Sequence, residues 1–324
     1  MLGSALHRAL VTRNFPVLQL VRSSHPSEPA QAVPVPANHD PSVPNRRTIV
    51  VALPGQFPWN PAADPPIAHP EVLNGFTAAI HLSGANVAAH RWTSAYKREL
   101  FASRVDSTRA LAITLARLRH PPFAFIVASA VGIYGNRGDE LLTETSASGS
   151  GFLADVCRQW EAAAQPAVQA GIRVVHLRFG VILGPGSGAL AHIAPLFRLG
   201  LGGPLGSGQQ WMSWISLADA IAAIVFALFT PALTGPVNLT APNPVRNAEF
   251  TRALAHVLHR PAILPAPAFA LRLALGPMAD EALLASARVL PAKLQAAGFQ
   301  FIHPSVDQAL VAALAPKQKS PKQK

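Results

Sequence analysis

One cysteine in 324 residues, Cys157, excludes a disulfide framework and any metal site built on cysteines, and fits a reducing compartment. Charged residues are also few, 13% against 50% hydrophobic, which excludes a disordered chain and requires a sizeable core. Acidic residues are the scarcer kind: 16 Asp and Glu face 27 Lys and Arg, for a formal charge of +11. That excess invites a nucleic-acid partner, but the basic residues are scattered apart from Lys317, Lys319, Lys322 and Lys324. Neither zinc spacing nor an aromatic-rich basic motif accompanies them, so no nucleic-acid partner is expected. Residues 315–324 read as a disordered basic tail. Long apolar runs are missing too. Ala220 to Phe229 ends at Thr230-Pro231, well short of the ~20 residues a membrane-spanning helix needs. The expectation is a cytoplasmic chain with no membrane partner. Met1 to Arg22 contains no acidic residue and three arginines, as a transit peptide does, but its helix-then-strand pattern favours a domain entered in mid-fold.

What is present centres on Phe123 to Gly135, an apolar run that breaks into small residues and closes on Tyr134-Gly135. Such a run reads as a strand buried on both faces of a parallel sheet. In a doubly wound sheet the carboxyl ends of strands line the binding crevice, which places Ala128, Ser129, Ala130 and Tyr134 there. Gly3 to Val11 is spaced as a helix and Val17 to Val21 as a strand, the second half of a βαβ unit. The strand and glycine-rich turn that should open such a unit, whose amides hold a pyrophosphate, do not precede Gly3. Arg22, at the end of the second strand, stands where a cation meets the 2′-phosphate of NADP; a solvated loop arginine is the competing reading.

Residues 23–70 carry twelve of the 31 prolines and read as an extended insertion whose one credible strand is Thr48 to Leu53. A strand at Ala78 to Leu82 ends in Ser83-Gly84, a turn that permits close backbone approach. A helix is expected over Trp92 to Arg119 with Thr93 as N-cap, another over Phe152 to Ala170, and a strand over Arg173 to Arg178. Gly200 to Gly208 is glycine-rich but lacks the Lys-Ser/Thr of a P-loop. Asp219 and Asn247 read as caps of the next two helices, Phe269 to Ala297 as mostly helical, and Ser305 to Leu314 as the last helix.

His81-Leu82-Ser83-Gly84, Arg91-Trp92, Ser103-Arg104-Val105, Ser129 to Gly135, Trp160-Glu161, Arg178 to Gly186, Phe197 to Gly208 and Ala297-Gly298-Phe299 occur in one order along the chain. In these motifs the chain resembles the atypical extended short-chain dehydrogenase/reductases often called epimerase family proteins. The resemblance runs from Gly3 to about Leu314, outside the proline-rich insertion. It implies an α/β fold: an NAD(P)-binding Rossmann domain, a doubly wound parallel sheet with its first strand missing here, over residues 1–182. A smaller α+β substrate lobe follows over 183–314, with 219–240 packing back on the sheet. The cofactor implied is NADP(H), possibly NAD(H), with a small-molecule substrate. Carried over residue by residue, Gly3 matches the third glycine of the dinucleotide turn, and Val21 and Arg22 the adenosine 2′-phosphate position. Leu82 and Ser83 fall beside adenine and ribose, Glu99 and Arg104 on the helix flanking the cofactor, and Ile182 near the nicotinamide.

Two departures bear on function. The missing first strand points to a start lying upstream, or to a decayed copy, or to Thr48–Leu53 filling the vacant slot. Moreover, ordinary members use Tyr-x-x-x-Lys, whereas the matching helix here begins Gly151-Phe152-Leu153-Ala154-Asp155-Val156. Phenylalanine transfers no proton, and neither Val156 nor Cys157 supplies a cation. Ser129 and Tyr134 remain as the nearby hydroxyls, and Cys157 reads as a packing thiol. The expectation is therefore an epimerase-like oxidoreductase with an unusual site, or a protein that binds NADP without turnover, or an inactive truncated copy.

Overall fold

The computed structural model describes residues 2–22, 49–52, 57–186 and 188–315. The N-terminal half contains α1 (Leu2–Val11), β1 (Val17–Arg22), β2 (Ile49–Ala52), β3 (Phe57–Trp59), β4 (Ala78–His81), α2 (Ser94–Ala102), α3 (Val105–Ala116), β5 (Ala124–Ala130) and β6 (Leu141–Leu142). It continues through α4 (Phe152–Ala162), α5 (Gln165–Gln169), β7 (Arg173–Phe179), β8 (Val181–Leu183), α6 (Gly188–Arg198), β9 (Trp211–Met212), β10 (Trp214–Ser216) and α7 (Leu217–Phe229). The remainder is β11 (Gly235–Leu239), β12 (Val245–Arg246), α8 (Asn247–Leu258), α9 (Ala268–Leu275), β13 (Arg288–Val289), α10 (Ala292–Ala296) and α11 (Val306–Leu314).

Seven strands form one parallel sheet in the order β11-β7-β5-β4-β2-β1-β3. Successive side chains of β5 take opposite faces: Ala124 and Ile126 join Leu6, Leu10 and the apolar side of α7, while Phe125 and Val127 join Leu111, Leu115 and Trp160. Both faces are thus covered by helices, which is why the strand reads as unbroken apolar sequence rather than as an alternation. The fold is the doubly wound α/β sheet expected.

The slot between β4 and β1 is filled. Ile49 pairs with Val17 on one side and Ala78 on the other, and the register continues to Ala52 between Leu20 and His81. Of the readings open for Thr48–Leu53, this is the one in which it takes the place of the missing strand. The physical reason is that an empty slot would leave the facing ladder groups of two adjacent strands unpaired inside the sheet. Ile-Val-Val is a β-prone run available to satisfy them. The rest of the insertion up to residue 56, and the tail from 316, lie outside the described residues.

The long helix expected over residues 92–119 is two helices. Thr93 caps α2 through a bond from Tyr96 N (3.2 Å), and the break falls at Arg104 (φ −110°). Two expected caps are also corrected. Ser216 caps α7, accepting from Asp219 N (3.0 Å), while the fully buried Asp219 carboxylate accepts from Ile302 N (2.6 Å) and His303 N (3.0 Å). Arg246 holds the N-cap position of α8; Asn247 is its first residue, and its Oδ1 accepts from Leu205 N (2.8 Å). Residues 269–297 are less helical than expected, with a π-turn at Ala279–Leu283 and β13 between α9 and α10.

Residues after β8 build a second core from Trp214, Leu254 and Leu310. The chain nonetheless returns to the sheet: β11 is its edge strand, and Leu294 and Phe299 enter the same cluster as Leu6 and Leu177.

Candidate functional site

The carboxyl ends of β4, β5 and β7 open onto one crevice and end in Leu82-Ser83-Gly84, Ser129-Ala130 and Phe179-Gly180 respectively. Leu82 is half-buried where the two cores on either side of the sheet meet. Arg104, leaving the end of α2, lays its guanidinium against this edge. Its Nη2 donates to Ala85 O (2.9 Å) and its Nη1 to Leu100 O (3.2 Å), and its Cζ stands 5.3 Å from the Trp160 ring centroid. A side chain on Gly84 would approach that Cζ to 3.2 Å. Burial lowers the pKa of Arg104 from its ordinary value.

Of the other residues matched to the cofactor, Gly3 is buried in the first turn of α1. Val21 and Arg22 end β1, with their backbone paired to Pro58 and Trp59; only their backbone is described. Ile182 is half-buried in β8 opposite Ile215. Leu82, Ser83 and Arg104 come together, whereas Glu99 is exposed on α2.

Ser129 and Tyr134 belong to one buried network. Ser129 Oγ donates to Glu161 Oε1 (2.8 Å), and Arg178 grips the same carboxylate through Nε to Oε1 (2.8 Å) and Nη2 to Oε2 (2.9 Å). Arg178 Nη1 also donates to Tyr134 Oη (2.9 Å), whose proton is shared between Asn238 Oδ1 (2.8 Å) and Thr143 O (2.9 Å). Tyr134 is 0% and Ser129 2% exposed. Burial raises the Tyr134 pKa, partly offset by Arg178. For Arg178 burial opposes the charge, but the hydrogen bonds and charge of Glu161 outweigh it and hold the guanidinium protonated more firmly than usual.

Phe152, which the resemblance sets against the usual tyrosine, opens α4. Its ring meets Trp92 edge-on at 5.3 Å, and Lys97 Nζ lies 4.8 Å from its centroid. Glu281 from the C-terminal lobe reaches across to accept from Leu153 N (2.7 Å), so a carboxylate sits at the positive end of α4. Val156 is buried, and burial pushes the neighbouring Cys157 thiol up to about 12. Glu161, Arg178, Lys97 and Glu281 were not singled out as site residues from sequence. A charged residue interrupting an apolar strand, as Arg178 does, is the one signal that could have found the network.

At the β4 edge the bare backbone of Gly84 is covered by the Arg104 side chain, which places a cation beside the strand end. Phe152, the first residue of α4, offers no proton to transfer. Among the described residues no group of three His, Cys, Asp or Glu side chains could hold a metal ion. A cavity of about 470 Å³ lies between residues 61–70 and α3, lined by Asp106, Arg109, Ile113 and Arg117.

Residues 1–239 match the NAD dependent epimerase/dehydratase family, and residues 266–313 a domain of unknown function, DUF1731. The epimerase family protein Mb2239 of Mycobacterium bovis is 42% identical over 310 residues, 96% of this chain and 93% of the relative. The epimerase family protein SDR39U1 homolog of Arabidopsis thaliana, described as chloroplastic, is 41% identical over 244 residues, 75% of this chain and 70% of that one. Among solved structures, human epimerase family protein SDR39U1 (isoform 2) with NADPH superposes with a TM-score of 0.79 at 28% identity, covering 97% of this chain and 95% of the other.

Proposed function

The chain belongs to the NAD dependent epimerase/dehydratase family, and from that premise we propose that it binds NADP(H), with NAD(H) second, and exchanges hydride with a small-molecule carbonyl compound. The observation that carries this reading is the edge at the end of β4, where Arg104 packs on the bare backbone of Gly84 and holds a cation beside the strand end. NADPH in the human relative's structure supports the choice of cofactor. Arg22 at the end of β1 would meet the 2′-phosphate, Leu82 and Ser83 the adenosine, and Ile182 the nicotinamide side. When bound, the nicotinamide supplies the hydride. Ser129 and Tyr134 would position rather than transfer protons, because each hydroxyl is buried and already bonded within the network. A proton for the carbonyl oxygen then comes from water or from the substrate.

A second reading, a protein that binds NADP without turnover, is favoured by Phe152, whose ring is occupied by Trp92 and the Lys97 ammonium where the family's acid would stand. One experiment separates the two. Melting temperature with and without NADPH reports binding, since a ligand of the folded state stabilises it. Absorbance at 340 nm with a panel of aldehydes, ketones and sugar nucleotides reports turnover. A shift with NADPH consumption supports the oxidoreductase; a shift with none supports the second reading. No shift and no binding at millimolar NADPH would overturn both. Arg22→Glu should weaken NADPH about tenfold or more while leaving NADH nearly unchanged.

A further inference from the structure

The C-terminal lobe exposes an apolar face that its own packing does not use. Leu199 (73% exposed), Ile263 (77%), Phe269 (72%) and Leu273 (78%) stand in water, with Leu201 and Leu264 beside them. These residues are neighbours through the backbone: Leu264 N donates to Gly202 O (3.1 Å), Ala266 N to Pro204 O (2.9 Å), and Gly206 N to Ala266 O (2.8 Å). α9 continues directly from this ribbon and buries none of its eight residues. Lone exposed leucines are ordinary; a contiguous set on one lobe marks a surface that is covered in use.

The surrounding charge says by what. Between residues 183 and 275 there are five arginines, 198, 246, 252, 260 and 272, and two acids, Asp219 and Glu249. Asp219 is fully buried, and Glu249 accepts from Arg246 N at the far end of α8. Arg198 and Arg260 adjoin the ribbon together, Arg260 Nε donating to Arg198 O (3.1 Å). Arg272 lies on α9, where Asp280 pairs with it at 2.9 Å. A second copy of the chain laid on this face would set arginines against arginines, whereas an anionic surface would neutralise them.

We propose that Leu199, Ile263, Phe269 and Leu273, rimmed by Arg198 and Arg260, dock the C-terminal lobe on an anionic lipid surface. That no helix among the described residues is long and apolar enough to cross a membrane does not bear on this mode. Apolar side chains entering the headgroup boundary with basic residues beside them suffice for reversible binding. The face is separate from the β4 edge, so the proposal stands independently of the cofactor reading.

Co-sedimentation of the full chain with vesicles of phosphatidylcholine alone, and of equal parts phosphatidylcholine and phosphatidylglycerol, tests it. Binding is expected only to the anionic vesicles, and it should weaken as salt is raised. Arg198→Glu with Arg260→Glu should lower the partition at least about tenfold. Phe269→Ser with Leu273→Ser should lower it by about tenfold or more through lost apolar burial. Circular dichroism and melting temperature confirm that both double variants remain folded. No binding to the anionic vesicles, equal binding to neutral ones, or full binding by both folded variants would overturn the proposal. So would light scattering that shows a dimer dissolved by Phe269→Ser with Leu273→Ser, since the face would then join two copies.

Discussion

Glu161 is the residue on which the interior of the site depends, because one carboxylate accepts from Ser129 and, twice, from Arg178, with side chains only 14% and 9% exposed in the ion pair. Removing it leaves a buried guanidinium unpaired, so Glu161→Ala should cost about 3–5 kcal/mol in denaturant unfolding. Tyr134→Phe removes a hydroxyl bonded to Arg178, Asn238 and Thr143 and should cost about 1–3 kcal/mol while NADPH binding is kept. A Tyr134→Phe protein that is fully stable yet turns over no substrate would instead make this phenol a proton donor. His81 gives the pH dependence. Burial lowers its pKa from 6.5 to about 4, with Nε2 on Ser107 Oγ (3.1 Å) and Nδ1 without a partner. The unfolded chain takes up this proton first as pH falls. Stability is therefore full above pH 6.5 and declines by about 3 kcal/mol towards pH 4, a slope that His81→Gln should largely remove in urea titrations. At this scale the sequence was only partly legible. The apolar run places Ser129 and Tyr134 at the carboxyl end of its strand, and Glu161 and Arg178 stand in motifs of the resemblance. That these four touch depends on how α4 leans on β5 and β7, which local pattern does not encode.

Elements were more legible than their neighbours in space. The strands at 78–81, 124–130 and 173–179 follow from apolar runs ended by small residues, and α2 begins at the expected Thr93. The break at Arg104 was hidden, since residues 93–119 keep helical spacing throughout and the kink serves a contact with the β4 edge rather than any local preference. β2 is the sharper case: a β-prone run identified it as a strand, but its position between β4 and β1 is a matter of long-range pairing. Its central place makes a prediction. Val51→Pro removes a ladder donor from a strand paired on both sides, and should destabilise the protein by about 3 kcal/mol or more in thermal or denaturant unfolding. An unchanged midpoint would put this segment outside the sheet. Glu281 tests the other end of the site. Its carboxylate accepts from a backbone N–H in the first turn of α4, so Glu281→Ala should cost about 1 kcal/mol.

At the scale of the molecule, the two lobes share interior rather than merely touching. Phe299 packs edge-on against Phe226 (5.3 Å) and Phe301 (4.9 Å) and sits in the same cluster as Leu6, Ile80 and Leu177. Glu144, itself buried, accepts from Asn238 N (3.0 Å) and Lys293 N (3.2 Å), and Asn238 Nδ2 donates to Leu290 O (2.9 Å), so the edge strand and the C-terminal segment are stitched by hydrogen bonds inside the protein. The chain leaves the sheet after β7, and the resemblance already implied the return of 219–240, which is made by α7 and β11; the return of α10 carried no local sign, because a returning segment is apolar for the same reason as any core segment. Interfaces between independent lobes are smaller and more polar than this. Calorimetry of the whole chain should therefore show one transition whose measured enthalpy equals the van't Hoff value, and NADPH should move that transition as a unit. Two resolved transitions, with only the first shifted by NADPH, would mean that the lobes fold separately. Cutting the chain after residue 275 should strip Leu294 and Phe299 from the core that Leu6 and Leu177 help to build, exposing apolar surface that a hydrophobic dye would report even if the sheet still formed.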